Sequence, residues 1–296
     1  MDRLLVSVVI PVFNAEKYLA QAIRSALEQT LPPHEVIVVD DGSTDSSREI
    51  ASSFGSAVLC LNQEHRGASA ARNHAIAHST GDWIAFLDAD DYWLSDKLAR
   101  QAAVIQANPS VGLVYTGRTE MSPEGVAHDF LARRPEWVKK MLPTGNVLFP
   151  TTALVRRPLA LECGFDLSLQ SSVDWWFFYR LSRIAKFAAI PEPTAVYRSS
   201  PESLCNRNWK AVLHNAEIVS RRIQDDYTGV YKTVLRRKAD AKLFANAAIS
   251  ARAQQAPEFL HYILKSLISW PLPNFWPARY KVFLVMMIQK LKRNKI

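Results

Sequence analysis

The chain has 296 residues, 48% of them hydrophobic and 22% charged, with a formal net charge of +8. That length can bury a full core, and no stretch approaches the roughly 20 apolar residues of a spanning helix, which argues against a polytopic membrane protein. Three widely spaced cysteines, Cys60, Cys163 and Cys205, suit buried apolar positions in a reduced compartment better than a disulfide framework or a zinc site.

Along the first hundred residues strand and helix signals alternate. The β-branched run VSVVIP (6–11) predicts a strand covered on both faces. Asn14 is placed to cap a helix whose apolar positions Tyr18, Leu19, Ala22, Ile23, Ala26 and Leu27 recur at helical spacing. Residues 36–39 predict a second strand, ending on Asp40 and Asp41, and 42–45 are turn chemistry with Thr44 or Asp45 to cap a helix through Ile50. A third strand is expected at 58–61, a third helix at 69–78 and a fourth strand at 83–87. Strands separated by such helices imply a parallel sheet, in which ligands lie beyond the carboxyl ends of the strands. From about Val111 shorter strands and loops are expected, with a helix at 174–184 and a strand at 195–197. After Cys205 the pattern is helical: two helices in 206–255 and two more in 257–296, joined by the turn WPLPNFWP.

Charge divides the chain at a similar place. Residues 1–204 hold 19 Lys and Arg against 23 Asp and Glu, a net of −4, whereas residues 205–296 hold 17 against 5, a net of +12. The two parts face different partners. No basic n-region or cleavage site opens the sequence, so no export signal is read and a cytoplasmic location is expected.

The acidic run FLDADDYW (86–93) is the strongest feature. Asp88 and Asp90, one residue apart at a strand end, can both turn toward a hard cation that would bridge the phosphates of a nucleotide diphosphate. Asp-rich loops are also ordinary turns; what sets this one apart is its place after the strand WIAFL. In VIVVDDGSTDSS (36–47) two readings stand. A strand-end Asp can accept hydrogen bonds from a base or ribose, or Asp41 and Asp45 can serve as turn and cap residues. Neither G-x-G-x-x-G nor a Walker sequence is present.

Taken together, VSVVIPVFNAEKYLAQAIRSALEQT, VIVVDDGSTDSS, GASAARN (67–73) and FLDADDYW resemble, in order and spacing, the nucleotide-binding half of family 2 glycosyltransferases. The match is close over about a hundred residues and looser to about Ser203. It implies an α/β fold of GT-A type over 1–204, a mostly parallel sheet flanked by helices, with a nucleotide-binding half (1–100) and an acceptor half (101–204), followed by a basic helical region (205–296). It implies an inverting, nucleotide-sugar-dependent enzyme, with a UDP-sugar donor and Mn or Mg. Pro11, Val12, Phe13, Asn14 and Asp41 would then line the base and ribose, with Asp40 near. Arg72 would lie beside the donor, where a guanidinium pairs with diphosphate or holds an acid. Asp88, Ala89 and Asp90 fall on the donor and metal segment: Asp90 as metal ligand, Asp88 as a second ligand or toward the donor sugar, Asp91 behind them.

The distal segment GFDLSLQSSVDWWFFYRL (164–181) resembles the family stretch in which an acidic pair precedes an aromatic-rich helix. Its second acid falls on Asp174, the candidate base that takes the acceptor proton; the other reading of Asp174 is an N-cap. The first acid of the pair is replaced by Val173. Trp175 and Trp176 either stack on a sugar or belong to the core. PEPTAVYRSSPES (191–203) keeps Tyr197, Arg198 and Ser203 of a family segment but has Ser200 where histidine is frequent. The seven histidines, His65, His74 and His78 among them, show no metal-ligand spacing.

In the basic region Arg221, Arg222, Arg236, Arg237, Lys238 and Lys242 are followed by Trp270, Phe275, Trp276, Tyr280, Lys281, the apolar run 282–288 and Lys290, Lys292, Arg293 and Lys295. Either this is an anchor on an anionic membrane surface, or the apolar face packs on the preceding helices and the charges are solvated. No nucleic-acid module accompanies the charge. A lipid-linked or glycan acceptor in surface polysaccharide assembly fits the first reading. The rivals are a nucleotide-sugar-binding protein without turnover, which the Val173 and Ser200 departures suggest, and a nucleotidyltransferase, which would need a glycine-rich basic loop after the first strand.

Overall fold

A computed structural model describes residues 4–199 and 208–271. The calls on Ser200, Ser203, Cys205 and the segment 272–296 lie outside the described residues. Those described form two compact units: 4–140 with 147–199, and 141–146 with 208–271.

In the first unit β1 (Val6–Val12) is buried along its whole length, as its apolar run requires. It pairs in parallel with β2 (Glu35–Asp40) and β4 (Trp83–Phe86), and β2 pairs in parallel with β3 (Leu59–Asn62). The crossovers are α1 (Leu19–Leu27), α2 (Ser47–Ser52) and α3 (Ala68–His78). α1 buries Leu19, Ala22, Ile23 and Ala26 as one stripe, and a residue such as Ile23 contributes about 1.5–3 kcal/mol on burial.

Asn14 does not cap α1. It adopts φ 49, Tyr18 directly precedes the helix, and Asn14 Oδ1 accepts from the Thr44 N–H at 2.8 Å instead. A short polar side chain that tolerates the left-handed region serves here as a tie between two loops. Asp45 does meet a helix amide, accepting from Ser47 N–H at 3.0 Å while its other oxygen accepts from Glu16 N–H at 3.0 Å.

Beyond β4 come β5 (Tyr92–Trp93), α4 (Lys97–Ala107), β6 (Val111–Met121), β7 (Ala127–Phe130), α5 (Pro135–Met141), β8 (Ala153–Arg156), α6 (Arg157–Cys163), α7 (Val173–Ile184) and β9 (Lys186–Arg198). The sheet order is β3-β2-β1-β4-β8-β6-β9-β5, with β7 on β6. It is parallel over the first four strands and mixed beyond: β8 runs antiparallel to β4 and β6, whereas β6 and β9 are parallel. The α/β sheet flanked by helices is thus present.

The expectation of short strands after Val111 holds for β7 and β8, of four residues each, and is corrected for β6 with 11 residues and β9 with 13, the longest strands described. Pro191 and Pro193 interrupt β9, and its register against β6 shifts on both sides of Gly117. A Cβ on Gly117 would stand 2.5 Å from the Pro191 carbonyl oxygen, so the backbones meet where only glycine fits. Those breaks disguise two long strands as several short ones. The helix expected at 174 begins at Val173, after Ser172 at φ 58, which places Asp174 inside the first turn and not at the N-cap. Val173 is buried in the core.

The second unit contains α8 (Trp209–Gln224), α9 (Gly229–Ala253) and α10 (Phe259–Ser269). Trp209, Ala247, Ala248, Ala251, Phe259 and Ile263 form its core. The alanines of α9 let α10 approach closely enough for Ser266 Oγ to reach the Ala241 carbonyl at 2.7 Å. Among the described residues no helix is long and apolar enough to cross a membrane.

A lysine is buried a few residues beyond the acidic loop. Lys97 is fully buried; its Nζ lies 4.1 Å over the Trp93 ring and donates to Gln101 Oε1 at 2.8 Å. Gln101 Nε2 in turn donates to the Val114 and Thr152 carbonyls. Burial lowers the Lys97 pKa to about 7. The unfolded lysine therefore holds a proton between pH 7 and 10 that the native one has released, and stability rises with pH over that window. The urea midpoint is expected to rise from pH 7 to pH 9, and Lys97→Met is expected to flatten that rise; an equal rise in both proteins would contradict it.

Candidate active site

The loops after β1, β2 and β4 converge with the first turns of α3 and α7. Pro11 and Val12 are buried in β1 and orient Phe13, whose ring stacks on His65 with centroids 4.0 Å apart. Asn14 N–H donates to Ser43 Oγ at 3.1 Å, so the first two loops are laced together.

Asp40 and Asp41 are buried at the end of β2 and do different things. Asp40 accepts from Ser43 N–H and from Arg48 Nε and Nη2, an ion pair at 2.9 Å, and so shapes the turn into α2. Asp41 accepts from Gln63 Nε2 at 2.7 Å and from the backbone N–H groups of Arg66 and Gly67, each at 2.8 Å. His65 Nδ1 adds a contact at 2.8 Å. At Asp41 the structure places a loop anchor in which both carboxylate oxygens are engaged.

Arg72 and Asp88 form an ion pair between α3 and the acidic loop. The guanidinium also lies 5.3 Å over the Phe165 ring, while its Nε is buried without a hydrogen-bond partner. Ala89 is buried and keeps the loop close to the sheet. Asp90 opens to solvent at the rim, yet desolvation by the protein around it and then Asp88 raise its pKa, with Arg198 and Arg72 opposing. Asp91, with no exposed surface, is raised well above the ordinary carboxylate value by burial and then by Asp88 and Asp90. Asp174 is raised first by burial; Arg72 and the Trp175 N–H oppose that, and Asp88 adds to it. Asp174 is thus within electrostatic reach of both Arg72 and Asp88. Trp175 is core and Trp176 stacks on Tyr179.

Two contributors were given no role at this site by the sequence, although Arg198 lies in the family segment 191–203. His65 joins Phe13 to Asp41, although nothing in the histidine spacing marks it. Arg198, more than a hundred residues from the acidic loop, donates through Nη1 to the Asp90 carbonyl, through Nη2 to Gln21 Oε1 and through its backbone N–H to Asp91 Oδ1. Its guanidinium lies 4.6 and 4.7 Å from the rings of Tyr18 and Tyr92.

Among the described residues no group of three His, Cys, Asp or Glu side chains is gathered to hold a metal. The loop instead offers crowded carboxylates, including a buried Asp91 Oδ2 without a hydrogen-bond partner. That set fits an Mg or Mn ion, which takes one or two carboxylates and completes its shell with substrate phosphates and water.

The family model described as Glycosyl transferase family 2 matches residues 7–161. The UDP-Glc:alpha-D-GlcNAc-diphosphoundecaprenol beta-1,3-glucosyltransferase WfgD of Escherichia coli is 26% identical over 235 residues, 78% of this chain and 91% of that protein. The chondroitin synthase of Pasteurella multocida is 29% identical over 188 residues, 62% of this chain but 19% of that one. Among solved structures, S. aureus TarS 1-349 in complex with UDP-GlcNAc is similar with a TM-score of 0.68 and 19% identity, over 90% of this chain and 81% of that one. The mannosyltransferase PcManGT from Pyrobaculum calidifontis, in complex with GDP-Man and Mn2+, has a TM-score of 0.60 and 20% identity, over 99% and 88%. At those identities the two structures speak for a shared GT-A-type fold.

A raised native pKa means that the folded acid holds its proton more tightly than the unfolded one, so its charge destabilises the fold at neutral pH and that penalty fades on acidification. Asp91→Asn keeps an acceptor for Arg198 N–H and removes the charge. In metal-free buffer it is expected to melt above wild type at pH 8, with the gap closing toward pH 5; a gap independent of pH would contradict this.

Proposed function

Since the chain belongs to glycosyltransferase family 2, we propose that it moves a sugar from a UDP-sugar to an acceptor hydroxyl with inversion, assisted by a divalent cation. The observation that carries this reading is the convergence on Arg72 of Asp88, from the acidic loop, and Asp174, from α7. Two acids 86 positions apart in sequence thus lie within electrostatic reach of one guanidinium, which supports a donor side and an acceptor side meeting there.

A bound Mn or Mg would supply a Lewis acid for the departing diphosphate. Asp90 and Asp88 would hold it, and Arg72 fixes Asp88 in place. The stacked Phe13 and His65, beside Asp41, offer an aromatic surface for a base. Asp174 takes the proton of the acceptor hydroxyl as it attacks from the face opposite the diphosphate. Its raised pKa makes it a stronger base than an exposed aspartate. The donor in the TarS complex and the Mn2+ in the PcManGT complex support the nucleotide-sugar and the cation.

The lipid-diphosphate acceptor named for WfgD supports a lipid-linked glycan acceptor here, and with it a place on the cytoplasmic face of a membrane. The second unit is basic, and on α10 Leu264 and Ile268 are 43% and 74% exposed beside Lys265, an apolar and cationic face suited to anionic headgroups.

With a nucleotide-sugar panel and Mn, the protein is expected to release nucleoside diphosphate, and Asp90→Ala to abolish release. Asp174→Asn should lower kcat by about 10²–10⁴-fold, as loss of a general base does, with donor affinity unchanged. Full activity in Asp174→Asn would remove the base assignment. In flotation with anionic liposomes the full chain is expected to rise with the vesicles and a chain ending at Pro271 to rise less; equal flotation of the two would remove the C-terminal anchor.

A further inference from the structure

Arg72 and its neighbour Asn73 face different parts of the site. While Arg72 reaches Asp88, Asn73 closes on the turn that leads from α6 toward α7. Its Nδ2 donates to the Phe165 carbonyl at 2.7 Å and its Oδ1 accepts from the Phe165 N–H at 2.8 Å, so the amide occupies both backbone groups of that residue. Phe165 is 2% exposed, and water is no substitute partner there. Gly164, at φ +54, makes the turn. From the other side Arg180 of α7 donates to the carbonyls of Cys163 and Glu162. The turn is therefore held by α3 and by α7 at once.

Aromatic rings continue the link. Phe165 stacks on Phe177 of α7 with centroids 4.3 Å apart and planes 13° from parallel. Both meet Phe86 edge-on, at 5.4 and 5.7 Å. Phe86 ends β4 two residues before Asp88, and Phe177 lies one helical turn beyond Asp174. The cluster thus spans from the strand that carries the acidic loop to the helix that carries the candidate base.

We propose that Asn73 is a positioning residue: its paired hydrogen bonds to Phe165 fix the first turn of α7, and with it Asp174, against the Arg72–Asp88 pair. The catalytic part of this rests on Asp174 being the base; the mechanical part does not. Asn73→Asp keeps the acceptor for Phe165 N–H but sets an oxygen against the Phe165 carbonyl, and Asn73→Ala removes both bonds. Arg180→Met releases the turn from the α7 side and leaves Asn73 intact.

The test pairs amide hydrogen exchange with kinetics on the full chain. In all three variants exchange at residues 173–177 is expected to speed up by tenfold or more, with exchange in β1 and β2 unchanged. UDP affinity, by calorimetry, should stay within about twofold, and kcat for UDP-sugar turnover should fall tenfold or more with the donor KM unchanged. A residue serving only stability would lower the melting temperature and leave kcat per folded molecule as in wild type. Native exchange at 173–177 in Asn73→Ala and Arg180→Met overturns the clasp. Faster exchange with undiminished kcat overturns its role in positioning the base. If the wild type turns over no nucleotide-sugar, the transferase reading fails, while the exchange data still decide the clasp.

Discussion

The site is organised by a shortage of positive charge. Arg72 is paired with Asp88 and lies within electrostatic reach of Asp90 and Asp174. Two carboxylates about 4 Å apart at an effective dielectric near 20 repel by roughly 4 kcal/mol. Arg72 and Arg198 together do not offset the burial and mutual repulsion of these acids, since Asp90, Asp91 and Asp174 all keep raised pKa values. The carboxyls left over hold their protons more firmly than free aspartate, and a divalent ion beside them would meet charge that the fold has not neutralised.

Much of this was legible because a parallel sheet writes itself plainly. The runs that form β1, β2 and β4 are apolar on both faces and end in polar residues, so the sequence alone places the acids at one rim. The Asp88–Asp174 relation was legible only through the family resemblance; no periodicity links positions so far apart. The long strands β6 and β9 were hidden by Gly117, Pro191 and Pro193, which read as breaks but act as bulges. Asn14 misled because asparagine suits both a helix cap and the left-handed region, and only the position of Thr44 decides between them. His65 could not be found from spacing, since its partners come from other elements, and Arg198 was marked by the family segment 191–203 without the contacts that give it a role.

The departure at Val173 has a simple structural account. Val173 is buried, where an unpaired carboxylate would be costly, while Asp174, the next residue, lies within electrostatic reach of Arg72. The helix therefore offers one acid to the site. The alanine-rich α9 follows a different logic: small side chains bring α10 within hydrogen-bonding distance of its backbone, so close approach of the helices does the work that large apolar residues do in the sheet.

Asp41 carries a consequence for association. Because its carboxylate already gathers the amides of Arg66 and Gly67 and the side chains of Gln63 and His65, the rim segment beneath Phe13 has its shape before any ligand arrives. The conformational entropy of that segment is lost when the polypeptide folds and is not lost again on complex formation, so a preorganised rim favours affinity without adding a single contact.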